Sequence, residues 1–116
     1  TRPWIEQSPV ANKIDFRIGD AAKEAPKLGI TIHMALVDGD KRTYAEVYEK
    51  LLPIIRPGGY ILADNTLWDW HVIDPAYDHD HQTIGIRLFN DLIAKDERVE
   101  KVILPLRDGL TLIRKK

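Results

Sequence analysis

Two acids close apolar runs in this chain. Ile30–Val37 (ITIHMALV) leads straight into Asp38, and Tyr60–Ala63 leads into Asp64-Asn65. If both runs are neighbouring strands of one sheet, their axes lie about 4.8 Å apart and the two carboxylates face one region. Two carboxylates with an amide oxygen make an all-oxygen donor set. Such a set suits Mg²⁺ or a similar hard cation that keeps waters or substrate oxygens. A single acid after a strand more often caps the next helix. Acids closing two consecutive strands, one followed directly by Asn, form a pattern that capping does not require. Lys41 stands three residues after Asp38 in Asp38-Gly39-Asp40-Lys41. Alone it reads as a solvated turn lysine; beside a cation its ammonium form is disfavoured and it becomes a proton acceptor. Asp20, in Gly19-Asp20-Ala21, reads on spacing as a helix N-cap.

The elements that must position these residues follow from periodicity. Lys13–Gly19 alternates apolar Ile14, Phe16 and Ile18, the pattern of a half-buried strand. Ala21–Leu28 is a short helical stretch closed by Gly29. ITIHMALV has the length and apolarity of a strand covered on both faces, with His33 inside its core. In Thr43–Ile55, Tyr44, Val47, Tyr48, Leu51, Leu52 and Ile55 line one helical stripe, which Pro57-Gly58-Gly59 is expected to stop. Tyr60–Ala63 is a further buried strand, Asp69–Asp80 a long polar loop, and Thr83–Lys95 a second helix. Val99–Leu106 and Leu110–Arg114 read as hairpin strands joined by Asp108-Gly109, with Pro105 suited to an edge. The order β-α-β-α-β-α-β-β predicts an α/β fold with a mainly parallel sheet and a C-terminal antiparallel hairpin. In such sheets ligands sit off the carboxyl ends of the strands, where Asp38 and Asp64 fall.

Composition narrows the function classes. The chain has 116 residues, enough for one domain. Lys and Arg number 17 against 18 Asp and Glu, a net charge of −1, so there is no basic footprint for nucleic acid or an anionic membrane surface. The apolar share of 44% is that of a folded domain. No apolar run approaches the ~20 residues that span a bilayer. With no cysteine, disulfides, thiolate metal sites and cysteine nucleophiles are excluded. No signal peptide opens the sequence, so a cytoplasmic location is the expectation. The run Asp78-His79-Asp80-His81 reads as a solvated loop, since neighbouring loop residues fix no ligand geometry.

An ordered set of motifs resembles the cation-dependent O-methyltransferases, the caffeoyl-CoA and catechol O-methyltransferase family. The set is Ile18-Gly19-Asp20-Ala21, Leu36-Val37-Asp38-Gly39-Asp40-Lys41, Leu52-Pro53-Ile54-Ile55-Arg56-Pro57-Gly58-Gly59 and Ala63-Asp64-Asn65-Thr66-Leu67-Trp68. The tail, Phe89-Asn90-Asp91-Leu92-Ile93 and Leu104–Leu112, is similar too, so the match runs from about Lys13 to Lys115. The resemblance implies a Rossmann-like class I S-adenosylmethionine (SAM) methyltransferase sheet. It implies Asp38, Asp64 and Asn65 as ligands of a divalent cation, Mg²⁺ foremost, and Lys41 as the base. It implies Asp20 and Ala21 at the adenine, Asp38 and Asp40 at the amino-acid part of SAM, and Trp68 and Asp69 in the substrate-facing loop. Relatives of the plant type often carry Asn where Asp69 stands. The implied reaction moves a methyl group from SAM to one hydroxyl of an aromatic diol, of catechol or caffeoyl type; the acceptor is a small molecule, and a homodimer is compatible with the family.

The family's first two strands and its glycine-rich turn have no counterpart before Lys13, where Trp4–Ala11 fits the end of a helix. Residues 1–116 are therefore expected to be a single, N-terminally incomplete methyltransferase domain. Because the absent strands lie between Lys13–Gly19 and Ile30–Val37 in the family sheet, the first strand is expected to lack its neighbour. Two rival readings stand beside this one: a non-catalytic flavodoxin-like binding or signalling module with Asp38 as phospho-acceptor, and an inactive fragment of the methyltransferase.

Overall fold

The computed structural model describes residues 1–116. Strands β1 (Ile32–Val37), β2 (Ile55–Asp64), β3 (Val99–Leu104) and β4 (Leu110–Lys115) form one sheet in the order β1-β2-β4-β3. β1 and β2 run parallel, joined by a helical crossover; β4 is antiparallel to both β2 and β3. The sheet is thus mixed, with the expected terminal hairpin and a parallel part reduced to one pair. Lys13–Gly19 does not join it. Ala11–Lys13 closes a 3₁₀ turn, Ile14 after it is extended, and the residues that follow join no ladder. Alternation marks a segment able to pair; a ladder also needs a partner edge, and none lies beside this segment.

Helices α1 (Arg2–Glu6) and α2 (Ala21–Glu24) are short, and α2 continues into a 3₁₀ turn that ends at left-handed Gly29. α3 (Tyr44–Leu51) carries the expected stripe but ends before Pro53, with Leu52–Ile54 tightened into a 3₁₀ turn. Pro57-Gly58-Gly59 therefore stops no helix. It lies inside β2, where the register with β1 slips between Ile32↔Ile55 and Met34↔Tyr60. α4 (His81–Lys95) is capped by Asp80, whose carboxylate accepts from the Thr83 N–H at 2.8 Å. The Asp78–His81 run is thus a turn leading into a helix cap.

α3 and α4 cover one face of the sheet. Val37, Ile61, Ala63 and Ile113 from the strands meet Tyr44, Tyr48, Ile86, Phe89 and Ile93 from the helices in one buried cluster. Phe89 stands edge-on to both tyrosines, at 5.5 Å from Tyr44 and 5.9 Å from Tyr48 between ring centres. The opposite face is open. Met34 and Leu36 are 64% and 65% exposed, so β1 is covered on one side only, and His33 is exposed rather than in the core. The hairpin also differs from its expected form: Leu104 pairs with Leu110, leaving a five-residue loop, Pro105–Gly109, instead of a two-residue turn.

Candidate functional site

Register places the bases of the site. Val37 pairs with Ala63, so Asp38 and Asp64 follow on adjacent parallel strands at their carboxyl ends. After Asp38 the chain turns through Gly39 to Asp40, whose carboxylate accepts from the Arg42 N–H at 3.0 Å and begins a 3₁₀ turn, Lys41–Thr43. That turn leads directly into α3. Its other side is set by α4: the Lys41 N–H donates to Gln82 Oε1 at 3.1 Å, and Gly85 presses against the Lys41 backbone. A Cβ on Gly85 would collide with the Lys41 carbonyl and lie 2.6 Å from Arg42 Cα. Close approach, not left-handed φ, is what demands glycine there.

Lys41 is consequently buried, 5% exposed. Its Nζ donates to Asp38 Oδ1 at 3.1 Å and to the Tyr44 hydroxyl at 2.7 Å. The ammonium also lies 4.7 Å from the Tyr44 ring centre and 5.7 Å from that of Trp68, within cation–π range. The Tyr44 oxygen stands 3.1 Å from the Val37 carbonyl and 2.9 Å from the Asp64 carbonyl, sharing its one proton between two strand ends. Burial above all, then the charges of Asp38, Asp64 and Asp108, push the Tyr44 phenol well above its usual range, so it stays protonated.

On the β2 side, the Asn65 N–H donates to Asp64 Oδ1 at 2.7 Å. The Asn65 amide nitrogen donates to both carboxylate oxygens of Asp108, each at 2.9 Å. The hairpin loop therefore sets the amide orientation: nitrogen toward Asp108, oxygen away from it. The same loop anchors the next residues, since the Leu67 N–H donates to the Asp108 carbonyl at 2.8 Å. Below it the Thr111 hydroxyl donates to Thr66 Oγ1 at 2.7 Å, and Asn90 donates to the Thr66 carbonyl at 2.8 Å. Gly109 makes the turn possible with φ +91°; a Cβ there would lie 2.7 Å from the Leu67 nitrogen.

Asp38 Oδ2, Asp64 Oδ2 and Asn65 Oδ1 accept no hydrogen bond within the chain. They are hard oxygen donors, and their chemistry fits a divalent cation. Nowhere do three His, Cys, Asp or Glu side chains converge on one point, so a cation here would rely on the amide as third donor. Two cavities flank the strand ends. One, about 530 Å³, is lined by Asp64, Asn65, Asp69, Arg107 and Asp108. The other, about 370 Å³, brings Ala21 to Asp38, Gly39 and Asp40 above the apolar side chains of β1 and α3. Asp20 stays outside both; its carboxylate accepts from the Ala22 N–H at 3.0 Å, as the cap of α2. Asp40 is paired with the Arg42 guanidinium at 2.6 Å, which holds its carboxyl down at about 2.

Trp68 is half-buried against the core, and Asp69 is exposed at the rim of the first cavity. Trp68, Asp69 and Trp70 all adopt left-handed backbone, at φ 48°, 51° and 65°. Three such residues in succession store strain of the kind that gathers at ligand-facing segments. The segment is held by Arg87, which donates to the carbonyls of Val72, His71 and Asp74 and pairs with Asp78 at 2.8 Å. His71 stacks on Tyr77 at 3.5 Å. Sequence patterning missed Tyr44 and Asp108. Tyr44 was legible as a stripe residue three positions after Lys41, and Asp108 as a turn former, but neither pattern reports where a hydroxyl or carboxylate points.

The profile of a family described as O-methyltransferase matches residues 1–116. Tricin synthase 1 of Oryza sativa subsp. japonica is 34% identical, over 98% of this chain and 51% of its own length. Caffeoyl-CoA O-methyltransferase 2 of Zea mays is 38% identical, over 97% of this chain and 47% of its own. The O-methyltransferase from Bacillus cereus, solved in complex with SAH, superposes with a TM-score of 0.88 at 27% identity, over 99% of this chain and 56% of that one. The chain thus spans about half the length of the curated relatives it matches. Its α/β sheet is that of the SAM-dependent methyltransferases, which displaces the flavodoxin-like signalling module as a reading. With the profile matched from first residue to last, this chain belongs to the O-methyltransferase family.

Proposed function

We propose that this chain carries the catalytic half of a metal-dependent O-methyltransferase, which moves a methyl group from SAM to one hydroxyl of a catechol-like or caffeoyl-type acceptor. The supporting observation is the pair of register-adjacent strand ends that present three unpartnered oxygens, on Asp38, Asp64 and Asn65, beside a buried lysine.

In this reading Asp38, Asp64 and Asn65 hold the cation, with Mg²⁺ the expected ion. When bound, it supplies positive charge that lowers the pKa of a coordinated acceptor hydroxyl. Lys41, in its neutral form, takes the hydroxyl proton at Nζ. Asp38 and Tyr44 keep that nitrogen aimed at the strand ends. Asp38 and Asp40 face the ammonium of the methyl donor's amino-acid part, while Ala21 and the Asp20 turn border its adenine. Trp68 and Asp69 flank the acceptor, and Trp68 shields Lys41 from water. The chain's main contribution to methyl transfer is alignment.

The experiment is methyl transfer from SAM to caffeoyl-CoA and to a simple catechol, with Mg²⁺ or with a chelator. Turnover is expected to need the ion. Asp64→Ala is expected to cost more than roughly 100-fold, the upper end of what losing a mere supporting residue costs. Full activity in chelator, or an unchanged Asp64→Ala rate, overturns the assignment.

A further inference from the structure

Tyr44 is 1% exposed, and its hydroxyl does three things at once. It reaches the Val37 carbonyl at 3.1 Å and the Asp64 carbonyl at 2.9 Å, and it accepts from Lys41 Nζ at 2.7 Å. Val37 immediately precedes Asp38, so one phenol oxygen is tied to the backbone beside both candidate acidic ligands. Asp64 stays paired with Leu110 of β4, but the parallel ladder that joins the two ends stops at Val37↔Ala63. Beyond that pair, no backbone hydrogen bond joins Asp38 to Asp64.

We propose that Tyr44 is a positioning residue: its hydroxyl sets the separation of the Asp38 and Asp64 carboxylates and shares the Lys41 ammonium with Asp38. This rests on the reading of those carboxylates as cation ligands. The phenol is suited to the task because it is held in place. Its ring is buried and its oxygen is held at three points, so the hydroxyl stays on the strand ends. It also offers the ammonium a neutral acceptor. Without it, Lys41 has one hydrogen-bonding side chain left, Asp38 through Oδ1, and presses harder on a carboxylate the cation must share.

The test is Mn²⁺ binding by titration calorimetry, with thermal melting of the same samples, on the unaltered protein, Tyr44→Phe and Phe89→Leu. Tyr44→Phe keeps the ring and removes only the hydroxyl. Phe89→Leu loosens the same aromatic packing and leaves the hydroxyl in place. Tyr44→Phe is expected to weaken Mn²⁺ binding by about 10-fold or more, as losses of supporting residues around metal ligands do. Phe89→Leu is expected to lower the melting temperature at least as much and to leave Mn²⁺ affinity within about twofold, since its core role touches no metal ligand. Equal Mn²⁺ affinity for Tyr44→Phe and the unaltered protein overturns the inference, as does a parallel loss of affinity in Phe89→Leu. If the unaltered protein takes up no Mn²⁺, the cation reading itself falls and takes this inference with it.

Discussion

A buried lysine is tolerated only where its charge is met, and Lys41 meets one carboxylate, one phenol oxygen and two aromatic faces. At the far end of the sheet, Asp96 solves the same problem with the opposite sign. Its side chain is 6% exposed, and it accepts from the Tyr48 hydroxyl at 2.7 Å and from Arg98 at 2.7 Å. The Arg98 guanidinium foremost, then Tyr48, holds the Asp96 carboxyl well below the usual carboxylate range, against the opposing effect of burial. A carboxyl depressed in the folded state stabilises above its unfolded pKa of about 3.9, and that stability is lost as pH falls through the folded value. Asp96→Asn is therefore expected to cost about 2 kcal/mol near neutrality, in line with hydrogen bonds to charged groups. The gap to the unaltered protein should narrow below pH ~4. Urea unfolding at neutral and acid pH measures this; a gap that stays constant means the charge is not what stabilises.

Among the elements, the contact between α4 and the Lys41–Thr43 turn decides whether the lysine is placed at all. Gly85 lets the helix axis approach until backbone meets backbone. Gly85→Ala inserts a methyl group where no flexible side chain can yield, so either α4 or the turn must shift. The expected loss is roughly 1–3 kcal/mol, the range for overpacking, despite alanine's better helix propensity. A lower urea midpoint together with reduced turnover is the expected result; an unchanged midpoint shows that the contact relaxes without cost. The hairpin loop works in the same way from the other side, through Asp108 on Asn65 and Gly109 on Thr66. Elements that look like connectors thus fix the orientation of the site's amide.

For the molecule as a whole, coverage of the sheet is one-sided. The radius of gyration, 15.4 Å, exceeds the roughly 13.4 Å of a compact domain of this length. Part of the excess is the leading stretch through Asp20, which contributes no buried residue. On the open sheet face, Met34, Leu36, Tyr60 and Val102 present apolar surface, with Leu36 65% exposed. The isolated chain is expected to bind the apolar dye ANS, and Leu36→Lys is expected to weaken that binding while shifting stability by less than about 0.5 kcal/mol. Dye fluorescence and thermal melting together check this; a large loss of stability would mean that the face is covered in solution. No helix is long and apolar enough to cross a membrane.

Local pattern alone determined the order of strands and helices from Ile32 onward, the α3 stripe, the terminal hairpin and the acids at the strand ends, because each depends on period and on neighbours within a few positions. Tertiary structure decided the rest. Lys13–Gly19 has the alternation of a strand, but pairing is a property of two segments, and its own residues do not supply the second. ITIHMALV is apolar on both sides, yet apolarity states a preference for cover and not which atoms provide it. Tyr44 and Asp108 are an ordinary stripe residue and an ordinary turn residue until the fold carries them to Lys41 and Asn65. Side-chain direction across a sheet end is set by packing between elements distant in sequence, and no spacing along the chain encodes it.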